Sequence, residues 1–237
     1  MFDRPHHQRI KKILQCFDID LLAEAQCFFG GGTAIVLSLG EYRESVDIDF
    51  LCASKAGYRL LRNTVTHQGL GALLKDPVKH LREVRADQYG IRTFLEIDGK
   101  PIKVELIRED RIDIRGQLHP VLGVPTLSRE DMYAEKLLAN TDRGIDKATF
   151  SRDIIDLAMM IDHWGPIPEQ SWSKVRDAYG ESADRAYSNA ISMICNREYL
   201  GSCLRKMHMN EDLLERISTA LGCSPEPQHE QSLRLEP

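Results

Sequence analysis

The sequence predicts an α+β (α/β) chain, with strands and short helices in its first half and a helical C-terminal half. Three observations predict it. Apolar and polar residues alternate through Val46-Asp47-Ile48-Asp49-Phe50 and again through Ile102-Lys103-Val104-Glu105-Leu106, the period of half-buried strands. Asp98-Gly99, set between apolar runs, is a hairpin turn signal. Beyond Ser128 the apolar residues recur at helical spacing. The expected organisation is a core with N-terminal helices over residues 1–125, a helical C-terminal domain over 126–223, and a disordered tail over 224–237.

Composition narrows the class of protein. The 237 residues can bury a real core, and 42% apolar with 28% charged residues is ordinary for a soluble globular protein. No apolar run approaches the roughly 18 to 20 residues of a membrane span, and the N-terminus has no signal-peptide pattern, so the expected location is the cytoplasm, with no membrane partner. The six cysteines form no CxxC pair and are expected to be buried thiols rather than a disulfide framework or a zinc site. His6 and His7 read as a solvated chain start. A net charge of -5 argues against indiscriminate nucleic-acid coating, while leaving room for a local basic patch.

The N-terminal elements follow from local pattern. His6–Phe17 is expected as an amphipathic helix after Pro5, with Ile10, Ile13, Leu14 and Phe17 on its packing side. A short helix, Leu21–Ala25, leads to a brief strand, Gln26–Phe29, that stops at Gly30-Gly31-Gly32. Thr33–Leu39 then forms a helix whose free N-terminal amides point back at the glycine turn, a geometry that accepts phosphate. Alone, such a turn is equally a plain structural one.

The strand at Val46–Phe50 adds chemistry. Its period of two sets Asp47 and Asp49 on one face, roughly 6 to 7 Å apart at the backbone, with Val46, Ile48 and Phe50 expected to enter the core. Paired carboxylates repel, and a divalent cation removes that cost; hard oxygen ligands suit Mg²⁺ (or Mn²⁺) beside substrate phosphates. Read without the glycine turn, this is a solvated edge strand carrying two surface acids.

Ala53–Leu74 is expected to be helical, with Gly69 and Gly71 loosening its end, and the stretch 52–85 holds seven basic residues against two acids. Those bases suit a polyanion or, more plainly, a solvated face. Strands follow over Leu81–Ile114. In the strand after the hairpin turn, Lys103 and Glu105 share a face, so Glu105 either completes a three-acid metal site with Asp47 and Asp49 or pairs with Lys103 or a cross-strand base.

From Ser128 a capping box with Asp131 starts a helix through about Asn140, on which Lys136 reads by default as solvated. A second helix begins after Ser151. There Asp153 suits the helix dipole, whereas Asp156 lies among apolar residues and needs a partner. Residues 169–222 form further helices.

Four stretches together resemble a known family: Gly31-Gly32-Thr33-Ala34, Arg43-Glu44-Ser45-Val46-Asp47-Ile48-Asp49-Phe50, Ala134-Glu135-Lys136-Leu137-Leu138-Ala139 and Arg152-Asp153-Ile154-Ile155-Asp156-Leu157. In this order they resemble the AbiEii/AbiGii toxin family of the DNA polymerase beta-like nucleotidyltransferase superfamily, over roughly residues 26–160. The resemblance implies a nucleotidyltransferase-type mixed β-sheet flanked by helices, with the C-terminal domain completing the site. It implies transfer of a nucleoside monophosphate from an NTP to an acceptor hydroxyl, the tRNA 3′ end in some members, by the toxin of a toxin–antitoxin or abortive-infection system with a cognate antitoxin. By motif, Gly31, Gly32, Thr33, Arg43 and Ser45 would hold the nucleotide, Asp47, Asp49 and Glu105 the metal, and Lys136 a phosphate, with Asp153 at the catalytic centre. Glu105 stands where the superfamily often has aspartate, and Gly30 is additional to the usual glycine pair.

On this expectation Glu105 or Asp153 is the general base. The alternatives are transfer to a protein or a small molecule, and a non-catalytic nucleotide- or partner-binding module. Docking of an antitoxin or a second subunit on the helical half is compatible with any of them.

Overall fold

The computed structural model describes residues 2–223, so the expected tail, 224–237, lies outside the described residues. Two N-terminal helices, α1 (Pro5–Cys16) and α2 (Ile19–Glu24), precede strand β1 (Cys27–Gly30), helix α3 (Gly31–Ser38), strand β2 (Ile48–Cys52) and helix α4 (Lys55–Gln68). Strands β3 (Lys79–His80), β4 (Arg85–Ala86), β5 (Gly90–Ile97), β6 (Lys100–Arg108), β7 (Gly116–Leu118) and β8 (Pro125–Leu127) follow. The described residues are completed by helices α5 (Arg129–Arg143), α6 (Arg152–Trp164), α7 (Glu169–Tyr179), α8 (Ser182–Ile194), α9 (Arg197–Lys206) and α10 (Leu213–Ala220).

The strands form a mixed sheet ordered β3-β5-β6-β2-β1-β8-β7, with β4 also on β5. β2 runs antiparallel to β1 and parallel to β6, and the β5–β6 hairpin turns at Asp98-Gly99, as its turn signal requires. β1 also pairs in parallel with β8 at Phe29↔Thr126. This strand, Pro125–Leu127, corrects the expectation of a helical chain from residue 126 onward. Three residues are too few to show a period, and Pro125 disfavours a strand by local rule.

One core fills both faces. α3 is apolar all round and correspondingly buried, with Ala34, Ile35, Val36 and Leu37 packed between the sheet and helices α5 and α6. On the other side Phe17 of the α1 C-cap meets Phe50 of β2 at a ring separation of 5.0 Å, and Phe29 of β1 meets Phe50 at 5.7 Å.

Several local expectations change. α2 starts at Ile19 because Asp18 caps it, accepting from the Asp20 and Leu21 N–H groups. The helix expected through Leu74 breaks at Gly69, whose φ is +80°, and resumes as a 3₁₀ turn at Leu70–Leu73. Ser128 caps α5 through the Asp131 N–H, as the capping box predicts. The cysteines are not all thiols. Cys195, at the end of α8, is bonded to Cys223 just beyond α10, while Cys16, Cys27, Cys52 and Cys203 are free. Separated by 28 positions, the bonded pair leaves no local spacing signal.

Candidate active site

The glycine turn is dictated by what it touches. Gly31 has φ +67°, and a Cβ there would lie 2.6 Å from the Asp49 carboxylate; at Gly32 it would lie 2.6 Å from the Arg43 guanidinium. Glycine is therefore needed for close approach as well as for the turn. Thr33, buried in the first turn of α3, donates to the Asp47 carbonyl at 2.5 Å and hydrogen-bonds the Ser45 hydroxyl at 2.8 Å. These bonds fasten the turn to the stretch that carries the aspartates.

β2 begins at Ile48, so Asp47 stands just ahead of the strand and Asp49 within it. Val46, expected in the core, is 49% exposed and lines the cleft instead. Its carbonyl accepts from His6 rather than from a strand, and the β2–β6 ladder starts only at Ile48↔Val104.

Backbone register brings the acids side by side. Asp49 lies opposite Gly30 on one neighbour and Glu105 on the other, and Glu105 lies opposite Arg92 of β5. Burial, then the charges of Asp47 and Glu105, pushes the Asp49 carboxyl up to about 6. Glu105 is paired with Lys103 and accepts from Arg92 Nε at 3.1 Å. It is thus both neighbour to Asp49 and partner to two bases. Among the described residues no three His, Cys, Asp or Glu side chains are gathered closely enough to hold a metal ion as they stand.

Lys136 is buried rather than solvated, because α6 packs on its side of α5. Its ammonium lies 2.9 Å from Asp153 and 2.7 Å from Asp156. Asp156 is wholly buried and also accepts from Tyr42 Oη at 2.6 Å, Arg43 Nε at 2.7 Å and Arg43 Nη2 at 2.8 Å. Burial alone would raise it; the Arg43 and Lys136 cations overcome that and hold it at about 2. Asp153 accepts from Arg143 Nε at 2.6 Å, and against the same burial Lys136 and Arg143 hold it well below the carboxylate range.

A cleft of about 410 Å³ connects these parts. Gly31, Gly32, Thr33, Arg43, Ser45, Asp47, Asp49, Glu105 and Lys136 all line it, whereas Asp153 lies behind Lys136 and Arg143. Sequence reasoning missed Arg143 and Arg152, which also line the cleft. Arg152 makes no ion pair among the described residues. The available signal was its place immediately before Asp153. The carboxylates fit a hard divalent cation: Asp47 and Asp49 are oxygen donors lining the cleft, the Asp49 carboxyl crowded enough to resist ionisation, and Glu105 is a third donor if its bases yield it.

A glycine turn opening a helix, one aspartate just ahead of β2 and another within it, and a buried lysine around one cleft, on a mixed sheet with a helical half, are the arrangement of a nucleotidyltransferase. The overall structure resembles a candidate nucleotidyltransferase from H. pylori (18% identity, TM-score 0.51, covering 91% of this chain and 92% of that one). It also resembles JHP933 from Helicobacter pylori (17%, 0.50, 94% and 92%) and an antigenic nucleotidyltransferase-like protein from Paracoccidioides brasiliensis (15%, 0.50, 94% and 95%). No curated protein sequence matches. The chain belongs to the AbiEii family, described as nucleotidyl transferase AbiEii toxin of type IV toxin–antitoxin systems, whose model matches residues 12–231. No helix among the described residues is long and apolar enough to cross a membrane.

Proposed function

We propose that this nucleotidyltransferase moves a nucleoside monophosphate from an NTP to an RNA hydroxyl, at the 3′ end of a tRNA, as a cytoplasmic toxin restrained by a cognate antitoxin protein. The observation that carries the chemistry is the shared cleft, lined by the α3 N-terminus and Lys136 together with the crowded carboxylates. The α3 amides, the Ser45 hydroxyl, Arg43 and Lys136 bind the triphosphate, and the buried aspartates behind the two cations hold them in place. Asp47 and Asp49, with Glu105 as third ligand, would hold Mg²⁺ (or Mn²⁺), which supplies positive charge against the phosphates and the attacking oxygen.

The acceptor oxygen attacks the α-phosphorus, the bond to the β-phosphate oxygen breaks, and pyrophosphate leaves with the electron pair. Glu105, which lines the cleft, takes the hydroxyl proton. Asp153, expected at the catalytic centre, is occupied by Lys136 and Arg143 and serves to position them.

RNA is favoured by the basic stretch. Lys55, Arg59 and Arg62 lie on α4, while Lys79 and Arg85 lie on strands paired with β5, whose Arg92 touches Glu105. Tyr89, in the turn between β4 and β5, is 66% exposed and offers a ring for base stacking. The test incubates purified protein with each α-³²P-labelled NTP, Mg²⁺ and total tRNA. Label is expected in tRNA and absent with D47A. No transfer with any NTP, by folded protein, overturns the proposal, and label in protein or in a small molecule overturns the RNA assignment.

A further inference from the structure

The start of α1 is tied to the stretch that carries Arg43, Glu44, Ser45 and Val46 into the cleft wall. His7, expected in solvent, is wholly buried. Its Nδ1–H donates to Glu41 Oε1 at 2.7 Å, and its Nε2 accepts the Ser45 backbone N–H at 3.1 Å. Glu41 accepts in turn from the Asp3 and Arg4 N–H groups at 2.6 and 3.1 Å, satisfying free amides at the head of α1. Arg4 Nε donates to the Glu41 carbonyl at 3.2 Å, and His6 Nε2–H donates to the Val46 carbonyl at 3.1 Å.

Residues 41–47 form neither helix nor strand, so side-chain tethers decide where they lie. Arg43 is held by Asp156 and the Ser45 hydroxyl by Thr33. The Ser45 backbone is held by His7. Burial keeps the imidazole below its ordinary value despite Glu41, so the ring is neutral and Nε2 is free to accept. An apolar residue would pack the same space without a polar ring to satisfy. The two ring nitrogens instead join a helix N-terminus to a backbone group two positions before Asp47.

We propose that His7, oriented by Glu41, is a positioning residue for nucleotide binding, fixing the Ser45 backbone so that the Ser45 hydroxyl and Asp47 face the triphosphate together. This rests on the reading of Ser45 as a triphosphate contact. Asparagine reproduces the Nδ1 position and glutamine the Nε2 position, so H7N keeps the Glu41 bond and loses the Ser45 tether, whereas H7Q restores an acceptor to Ser45.

The experiment measures binding of methylanthraniloyl-labelled ATP, GTP, CTP and UTP with Mg²⁺, and of tRNA, to full-length wild type, H7N, H7Q, E41Q and S45A. H7N is expected to bind the nucleotide about tenfold more weakly, the scale of one lost hydrogen bond, while H7Q stays within about threefold of wild type and tRNA affinity is unchanged in both. Wild-type affinity in H7N, or equal weakening in H7N and H7Q, overturns the proposal. Should H7N fail to fold, E41Q decides, with about threefold weakening expected and none overturning it. An unaffected S45A removes the Ser45 reading itself and the proposal with it. A weakened S45A beside an unaffected H7N removes only the role of His7.

Discussion

Lys136 on α5 lies 2.7 Å from Asp156 on α6, and Asp156 spends its remaining capacity on Arg43 and Tyr42. One buried carboxylate therefore ties two cleft cations from different parts of the chain to a single point. Removing Asp156 and removing Lys136 have different consequences. D156A leaves Arg43 and Lys136 without that counter-charge and is expected to cost about 3–5 kcal/mol in urea unfolding. K136M leaves each aspartate an arginine partner, so the fold persists while nucleotidyl transfer falls about 100-fold or more in single-turnover assays.

Asp49 carries the opposite energetics. Its carboxyl sits at about 6 in the folded protein, raised first by burial and then by Asp47 and Glu105. Between the ordinary value of about 4 and this one, the native state binds more protons than the unfolded chain. The Asp49 contribution to metal-free stability therefore falls as pH rises through that window and is flat above it. D49N is expected to raise stability at pH 7.5 by about 1–2 kcal/mol while abolishing transfer, as seen by chemical denaturation and the labelling assay.

The same carboxylate must ionise to bind a cation. Calorimetric titration of Mg²⁺ or Mn²⁺ in buffers of differing ionisation enthalpy is expected to show a fractional proton released per ion near pH 6 and almost none at pH 8. Proton uptake, or no dependence on pH, would contradict Asp49 as a ligand.

Gly31 answers to two constraints at once, a φ of +67° and the Asp49 carboxylate 2.6 Å from where a Cβ would stand. G31A is expected to destabilise by about 1–3 kcal/mol and to weaken nucleotide binding. A substitution at Gly40, where φ is +78° but no atom lies within 4 Å, bears only the backbone cost and should leave binding intact.

Charge reversal at Arg59, Arg62 and Arg82 separates acceptor from nucleotide. Arg59 and Arg62 share α4, and Arg82 stacks on the Phe94 ring at 4.8 Å. Labelling of tRNA should fall and its salt dependence flatten while NTP affinity holds. A combined loss of both would place these residues in the fold rather than at the acceptor.

Local pattern made some parts legible and hid others. The alternation through Ile48–Phe50 and Ile102–Leu106 and the Asp98-Gly99 turn marked β2, β6 and their hairpin, because each depends on neighbours in sequence. Val46 continued that alternation, yet stands in the cleft, because a strand ends where its partner's ladder ends. β8 was invisible because its pairing with β1 joins residues about a hundred positions apart. Lys136 read as solvated because one helix considered alone has a polar face. Packing by α6 turned that face inward.

By itself the sequence determined which chemical groups this protein carries and in what order: a glycine turn before a helix, two aspartates one residue apart, a later lysine, and an aspartate among apolar residues in want of a partner. Only the tertiary structure decided what they face. It supplied Arg43, Tyr42 and Lys136 to Asp156, set Glu105 beside Asp49 while pairing it with Arg92 and Lys103, and brought His7 to Ser45. The physical reason is range. Backbone periodicity and turn preference act over a few residues, whereas burying a charge is settled by whatever the folded chain brings within a hydrogen bond's length of it.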